Sequence, residues 1–489
     1  MGSLCSVFRA ILQGAKRENN SQFLNKNIHI KGKKMMKQTI TFLLSLVAML
    51  LPDGILAQTY TYSANGLTWH YTLNGTNATI TDYVEKGVFT GDVVVPATVS
   101  DGINTYPVTG IGFGAFTGCE YERSFTFENT STLTSMAGRV WSTYYRNDYE
   151  TAGYGKGNIM LYIDMKGVTS NVSYVGTKIS RGYAGSSFYR SPGNILIYLP
   201  DNTNRALLDA TGEDWWAHVP ANRNFVINDV CDYFYVYDED FNKAGHDVGS
   251  RTHSCYIPHA FTATKAEFSR VFSNTSGKAV STLYLPYPTD LPTGMQAYEF
   301  TLKGVDENGD KAFCFSPVPL GTRLQANHPY LVRVTDGATH TLPTMHNVQV
   351  PATPAISTTA QTSADGNWAF NGTTETLDNA AASALKAYYL NGNRWWAVQN
   401  GVANNYIAPY RCFVSSPTGA APAKSFLMVI EEDNLTPTDI RQLERDTQAD
   451  LKNGNHTFYS IDGKRMGTDY NALERGQMYI VNGKKFYKF

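Results

Sequence analysis

The sequence predicts a mainly β protein, in which a short repeat region precedes an antiparallel, sandwich-like region and a small β tail. Tyrosine (31 residues) and phenylalanine (24 residues) are abundant, while charged residues make up only 17% of the chain. Aromatic and β-branched residues suit the half-buried surface of a sheet. Short apolar runs end at Pro, Asn-Gly or Asp-Gly, which is the pattern of short strands joined by turns. A chain of 489 residues has room for about two to four domains.

The N-terminal part of the sequence predicts export. The lysine-rich segment Lys33–Lys37 precedes the apolar stretch Thr39–Leu51, and Ala57 offers a small residue for cleavage. This order is typical of a secretory signal peptide, and the apolar stretch is shorter than the roughly 20 residues of a membrane-spanning helix. We therefore expect a signal peptide over 35–57, a non-native extension over 1–34, and no membrane span in the mature chain.

A β-hairpin is expected at the start of the mature chain. From residue 58 onward, aromatic and polar residues alternate around Asn65-Gly66 and Asn74-Gly75. Asn-Gly readily adopts the positive φ angles of a tight two-residue turn. We interpret this segment as a cap on the repeats that follow.

The stretch Val93–Cys119 has the form of one repeat unit. A short apolar strand ends at a proline, a turn follows at Asp101-Gly102, and a glycine-rich segment closes the unit. Weaker echoes occur at Ser124–Met136 and Gly193–Asn204. The unit resembles the BspA-like leucine-rich repeat of Bacteroidales surface proteins, which has an Ile/Val-x-Ile-Pro strand followed by Val-Thr-x-Ile-Gly-x-x-Ala-Phe-x-x-Cys. The matching structural positions are Val93, Val95, Pro96, Val108, Ile111, Gly112, Ala115, Phe116 and Cys119.

The resemblance implies a short, degenerate leucine-rich-repeat solenoid over 58–228 and a role in adhesion. The sequence contains one well-matched repeat and a few degenerate ones, which is close to the roughly three units that a solenoid needs to bury a continuous core. We therefore expect the opening hairpin and the following domain to cover the two ends of the repeat region.

The sequence pattern changes near residue 229, where the repeat-like units end and regularly spaced short strands begin. Short strands separated by turn residues predict an antiparallel, β-sandwich-like domain over 229–432. The part Tyr256–Ile430 resembles the β-rich module that follows such repeats in secreted Bacteroidales proteins. That resemblance implies an architecture and no activity.

The C-terminal part predicts a charged linker with one short helix over 433–456 and a β tail over 457–489. Asp462-Gly463 and Asn482-Gly483 are expected to form hairpin turns. The tail resembles the C-terminal sorting domain of the type IX secretion system, which implies export to the cell surface of a Gram-negative bacterium.

No catalytic, cofactor-binding or metal-binding residue is assigned from the sequence, which contains no HExxH, GxSxG or P-loop pattern. Asp306, Asn308 and Asp310 alternate as in a calcium loop. However, Lys311 and Pro317 stand where an EF-hand needs Gly and Glu, so a solvated turn is expected.

Histidines and cysteines were weighed as zinc ligands and as disulfide partners. His246, His253, Cys255 and His259 lie close in sequence, but a second pair of closely spaced ligands is missing, so structural or surface histidines are expected. Cys231 and Cys255 are near enough in sequence to pair, and buried free thiols are the open alternative. The mature chain carries Cys119, Cys231, Cys255, Cys314 and Cys412.

Two tryptophan pairs are the candidate ligand contacts. Trp215 and Trp216 form one pair, and Trp395 and Trp396 form the other. Because side chains alternate along a strand, one ring of each pair is expected in the core and the other at the rim. An exposed ring offers a π surface on which a sugar can stack.

These observations favour a non-catalytic, adhesin-like binding protein that is secreted or held at the cell surface. Its partner is a host protein, a glycan or another cell surface, and the net charge of −1 without a basic stripe argues against nucleic acid. A glycan-hydrolysing enzyme is the first alternative, with Asp214, Asp238 and Asp240 as carboxylates. A structural component of a surface assembly is the second.

Overall fold

The structure is a computed structural model that describes most of the chain from residue 58 onward. It describes residues 58–488 except 120–121, 142–159, 177, 190, 192–193, 215–218, 239–253, 275–279, 306–310, 357–360, 363–366, 393, 403–404, 417–424, 431–450, 452–455, 475–476 and 482–483. The expected extension over 1–34, the signal peptide over 35–57 and most of the linker over 433–456 lie outside these residues.

The chain opens with three antiparallel strands: β1 (Thr59–Ala64), β2 (Leu67–Asn74) and β3 (Asn77–Tyr83). Asn65 and Gly66 form the first turn with φ angles of 55° and 77°, as expected of Asn-Gly. The second turn lies one residue later than predicted, because Asn74 pairs with Asn77 and leaves Gly75 and Thr76 between them. Only the first of these two residues needs a positive φ, and Gly75 supplies it at 61°.

Two stacks of parallel strands form the repeat region. In the first sheet, β3, β6, β8 and β10 are parallel neighbours, and β1 and β2 extend this sheet at one end. In the second sheet, β4, β7, β9, β11 and β12 are parallel neighbours. The bounds are β4 (Gly91–Val95), β5 (Thr98–Ser100), β6 (Thr105–Ile111), β7 (Glu122–Phe127), β8 (Ser135–Met136), β9 (Tyr162–Asp164), β10 (Ser173–Tyr174), β11 (Leu196–Tyr198) and β12 (Phe225–Ile227).

The apolar positions of the repeat unit lie in the core between these two sheets. Val93 and Val95 alternate with the outward-facing Val94 on β4, and Phe116 lies 1% exposed among aromatic rings. Val108, Ile111, Ala115 and Cys119 belong to the same core, Pro96 is buried, and Gly112 is half-buried. The mainly β fold is thus confirmed, and the assignment of these turns to leucine-rich repeats stays a prediction.

The second sheet continues past the predicted boundary at 228/229. After β12 it takes in β13 (Val230–Cys231), β14 (Phe234–Val236), β15 (Phe261–Phe268) and β22 (Met345–Val350). The strands β11 and β12 are buried on both faces: Ile197 contributes to the repeat core, whereas Tyr198 and Val226 contribute to the next core. The change in sequence pattern near residue 229 does not reveal that the sheet continues, because this continuity depends on pairing between strands that are distant in sequence.

A third, nine-stranded sheet carries most of the remaining region. Its order is β17-β20-β18-β19-β27-β25-β24-β26-β23. All its neighbours are antiparallel except β19 and β27, which are parallel and are far apart in sequence, as a parallel pair requires. The bounds are β17 (Val280–Leu283), β18 (Met295–Val305), β19 (Lys311–Pro317), β20 (Tyr330–Val334), β23 (Ala369–Thr373), β24 (Tyr388–Asn391), β25 (Arg394–Ala397), β26 (Arg411–Ser415) and β27 (Ser425–Ile430).

Side chains from β15 and β22 share one core with side chains from β17, β18 and β20, as in two packed sheets. A separate pair joins β16 (Val271–Ser273) to β21 (Thr339–Thr341). One short helix, α1 (Asn379–Ala384), begins where the Asp378 side chain accepts a hydrogen bond from the amide of Ala381. None of the described helices is long and apolar enough to cross a membrane.

The predicted β tail is present as a four-stranded antiparallel sheet of order β29-β28-β30-β31. Gly463 has a φ of 87° in the predicted turn between β28 and β29, while Asn482-Gly483 lies outside the described residues. The bounds are β28 (Phe458–Ser460), β29 (Arg465–Gly467), β30 (Gln477–Val481) and β31 (Lys484–Lys488). Its small core contains Leu451, Phe458, Tyr470, Leu473, Tyr479 and Val481.

Candidate binding surfaces

An open cleft lies on the outer face of the second sheet, where β4, β7 and β9 run side by side. Alternation sends Ile163 of β9 into the repeat core and leaves Tyr162 and Asp164 facing outward. The outer face is covered from β11 onward by the second core, so the cleft occupies its uncovered part. Its volume is about 480 Å³, and it is lined by Val94, His259 and residues from the segments 126–129 and 164–167. We call it the sheet-face cleft.

Asp164 and His259 form a pair at one side of the sheet-face cleft. The His259 Nε2 atom lies 2.8 Å from Asp164 Oδ2, and the amide of Lys166 donates to Asp164 Oδ1 at 2.9 Å. The Asp164 side chain is 15% exposed and the His259 side chain 47% exposed. Both carboxylate oxygens are therefore held in place, and each keeps a further lone pair that can accept a hydrogen bond.

The other charged side chains of the cleft also have hydrogen-bond partners. Glu128 accepts hydrogen bonds from the Ala97 amide at 2.8 Å and from Asn65 Nδ2 at 3.1 Å. The Lys166 ammonium lies 2.7 Å from Asp229. Burial alone lowers the pKa of Lys166, but the hydrogen bond to Asp229 and the nearby Asp201 raise it above its ordinary value. The cleft therefore offers hydrogen-bonding groups that are held in place, and its two carboxylates, Asp164 and Glu128, are not neutralised by their neutral donors.

A stacked pair of tyrosine rings includes Tyr162, which lies two residues before the cleft residue Asp164 on β9. Tyr162 and Tyr256 stack with their centroids 5.8 Å apart at 27°, and both are half-buried. The Arg123 guanidinium lies 5.2 Å from the centroid of Tyr256 and 3.3 Å from a carboxylate oxygen of Glu375. Burial raises the pKa of Glu375, and Arg123 partly offsets that effect. We call Tyr162 and Tyr256 the tyrosine ledge.

A second surface is formed by exposed side chains beyond the ends of β6 and β10. Phe113 is 63% exposed, Val175 51% and Tyr183 47%. The Tyr183 ring lies directly over Gly185, where a Cβ atom would come 2.7 Å from the ring. A Cβ atom on Gly138 would lie 2.8 Å from the Gly185 carbonyl oxygen and 3.8 Å from the Phe113 ring. We call Phe113, Gly138, Val175, Tyr183 and Gly185 the glycine–aromatic strip.

The strip depends on glycine because successive turns approach each other too closely for side chains at these positions. The two exposed rings belong to different turns of the chain, Phe113 after β6 and Tyr183 after β10. Stacking of turns therefore brings them onto one surface, and sequence distance alone does not suggest their proximity.

The tryptophan candidates are placed differently from one another. Trp395 is fully buried in the third sheet, stacked on Phe315 at 5.8 Å, so it cannot meet a ligand in this fold. Trp396 points to the opposite face of β25 and is half-buried. Trp215 and Trp216 lie outside the described residues.

The carboxylates suggested for a glycosidase do not line an open groove where they are described. Asp214 is fully buried, and its Oδ2 lies 3.0 Å from both Arg181 Nε and Arg223 Nε. Asp238 is 6% exposed and lies 2.7 Å from Arg411 Nη1. Asp240 falls outside the described residues.

The residues considered, and not assigned, as zinc or calcium ligands are only partly described. Cys255 is fully buried, whereas His259 is exposed beside Asp164. His246, His253 and the segment 306–310 lie outside the described residues, and no group of three metal-ligating side chains occurs within them. The five described cysteines are all buried free thiols, so Cys231 and Cys255 are not paired.

Sequence reasoning did not identify the sheet-face cleft or the strip. The alternation of Tyr162, Ile163 and Asp164 was a local signal for an outward acid. His259, however, comes from a loop 95 residues away, and only the fold brings it to Asp164. No protein-family model matches the chain, and no curated protein or solved structure matches it significantly.

Proposed function

We propose that the protein is a non-catalytic binding protein, secreted or held at the cell surface, that presents its repeat surface to a macromolecular partner. The observation that carries this proposal is the glycine–aromatic strip, in which Phe113 and Tyr183 stay exposed on the turns after β6 and β10, with Gly138 of the turn after β8 between them. Contiguous exposed apolar groups on a soluble protein mark interaction sites more often than isolated ones do.

The composition of the strip suits a large partner. Aromatic side chains are enriched at the energetic centres of protein interfaces. The Tyr183 ring rests on Gly185 and Gly176, so little side-chain freedom is lost when a partner covers it. Stacked repeats present extended surfaces, which favour macromolecules over small molecules.

Export is supported by the sequence at both ends of the chain. The expected signal peptide over 35–57 directs the chain across a membrane. The β tail from Phe458 resembles a sorting domain, which would place the repeat surface outside the cell where host proteins, glycans and other cells are met.

Binding to immobilised partners tests the proposal. The chain from Gln58 is applied to collagen, fibronectin and laminin surfaces and to fixed host epithelial cells, and the double variant Phe113→Ser with Tyr183→Ser is compared with it. Each such ring contributes about 2 kcal/mol or more, which is about thirtyfold in affinity, so loss of both is expected to weaken binding by roughly a thousandfold if the two effects add.

Leu320→Ser is the matched control, because Leu320 is 83% exposed and lies in the second region, far along the chain from the strip. It should bind as the unchanged chain does. Absence of binding to every surface, or equal binding by the double variant, would contradict the proposal.

A further inference from the structure

We propose that the sheet-face cleft binds a neutral saccharide unit of a glycan. This is a second binding site, on the second sheet and separate from the glycine–aromatic strip, so the two proposals can fail independently. Its volume of about 480 Å³ falls in the range of small-ligand sites.

The floor of the cleft argues against a peptide that docks by its main chain. Val94, Thr126 and Asp164 lie on neighbouring strands that pair with one another, and although β4 is the end strand of the sheet, the cleft lies over the side chains and not along that edge. Peptides that add to a sheet need a row of unpaired backbone groups at an edge. Here the ligand meets a sheet face, so recognition depends on side chains.

Those side chains match vicinal hydroxyl groups, each of which both donates and accepts a hydrogen bond. The Asp164 oxygens accept one hydrogen bond each and can accept another from a ligand. The exposed Asn129 amide supplies donors and an acceptor, and it bonds to no other described residue. The Thr126 hydroxyl, which donates to the Val93 carbonyl at 3.4 Å, still has lone pairs to accept with.

The charge of the cleft argues against an anionic ligand. Glu128 and Asp164 accept hydrogen bonds that satisfy their carboxylates without neutralising them, since His259 is charged only if protonated, and the Lys166 ammonium is already paired with Asp229. An anionic ligand would therefore meet no unpaired cation among the lining side chains to repay its loss of water. A saccharide without charged substituents pays a much smaller desolvation cost.

The tyrosine ledge offers an aromatic surface on the same sheet face, outside the cleft lining itself, and Tyr162 also packs against the second core. Tyr162 lies two residues before Asp164 on β9, so both side chains are on the same face of the sheet. The negative face of an aromatic ring attracts the slightly positive C–H groups of a sugar. Stacking against Tyr256 holds the Tyr162 ring in position before any ligand arrives.

The cleft is also fixed in shape. A Cβ atom on Gly167 would lie 2.5 Å from the Phe127 carbonyl oxygen and 3.2 Å from Asn129 Oδ1. The turns after β7 and β9 are therefore in close contact, which sets the position of Asn129 relative to Asp164. A preformed site loses little entropy on binding.

A glycan array tests the inference. The chain from Gln58 is applied to neutral gluco-, manno-, galacto- and xylo-oligosaccharides, with sulfated and sialylated oligosaccharides on the same array. The strongest neutral oligosaccharide is then titrated by calorimetry against Asn129→Ala and Asp164→Asn. We expect affinity to fall about three- to tenfold for the first variant and about tenfold or more for the second.

Two controls separate the sites. Asn77→Ala removes an exposed asparagine from the first sheet and should leave saccharide affinity unchanged. The double variant Phe113→Ser with Tyr183→Ser should also keep it, while losing the macromolecular partner. Retention of saccharide binding by that variant, together with its loss in Asn129→Ala, is the result that supports a second site.

Three results would overturn the inference. They are the absence of any neutral ligand on the array, binding restricted to sulfated or sialylated chains, and neutral-ligand affinity that Asn129→Ala and Asp164→Asn leave unchanged. None of them affects the strip, which is tested by the immobilised macromolecular partners.

Discussion

Replacing Phe116 by alanine should remove a large part of the stability of the repeat core. Phe116 is 1% exposed, and its ring lies 4.8 Å from Phe125, 5.3 Å from Trp141 and 6.2 Å from Tyr83 between centroids. Loss of a buried phenylalanine costs about 3–5 kcal/mol. Aromatic pairs add about 0.5–1.5 kcal/mol beyond burial, so we expect the upper part of that range, about 4–5 kcal/mol.

Phe113→Ala is the matched control, because the same residue type lies three positions earlier and is 63% exposed. We expect it to change the free energy of unfolding by less than about 0.5 kcal/mol. Urea unfolding is followed by tryptophan fluorescence, which reports on Trp141 beside Phe116, and by far-ultraviolet circular dichroism. Equal unfolding midpoints for the two variants would refute the placement of Phe116 inside and Phe113 outside.

Three further predictions concern stability and thiol chemistry. Asp214→Ala should lower the free energy of unfolding by about 3–5 kcal/mol in urea, because it leaves two arginines buried without their carboxylate. A thiol-reactive dye at pH 8 should label none of the five cysteines in the folded chain and all five after denaturation, since each is buried; burial raises the pKa of Cys231 to about 12. Gly66→Ala should cost about 1 kcal/mol by the same urea assay, because φ is 77° in that turn.

Each of these outcomes has a result that contradicts it. Asp290→Ala is the control for the buried ion pair, because Asp290 pairs with Arg323 at the exposed surface. We expect this control to lower the free energy of unfolding by less than about 1 kcal/mol. If Asp214→Ala lowered it by no more than the control does, Asp214 would not be buried against the two arginines. Fast labelling of the folded chain, or missing labels in denaturant without reductant, would disprove buried free thiols. Unchanged stability in Gly66→Ala would place the turn elsewhere.

Local patterns predicted the parts of the fold that depend on neighbouring residues. Asn65-Gly66 forms the expected turn, because its geometry is set within two residues. The strands of the tail follow from alternation around Asp462-Gly463. The second turn of the opening strands lies one residue later than predicted. Either Asn74-Gly75 or Gly75-Thr76 would place glycine at a positive φ, and only the pairing of Asn74 with Asn77 decides between these two turns.

Features that join distant segments were not predictable in this way. Two adjacent tryptophans in a sequence do not reveal which of the two rings is buried. Trp395 is the buried one, because its ring packs against Phe315 and Phe370. The sequence around Asp214 does not show that its carboxylate is buried, because its partner Arg181 lies 33 residues away along the chain. The sheet-face cleft likewise needs three strands and a loop from the following region in one place.

Protease accessibility in the organism that makes the protein tests most directly whether the repeat surface is displayed outside the cell. Intact cells that carry the full chain, and cells that carry a chain without residues 457–489, are treated with protease and then fractionated. We predict that the full chain is degraded at the surface and that the shortened chain is retained inside and protected. A full chain that stays protected in intact cells would contradict a surface-exposed binding protein.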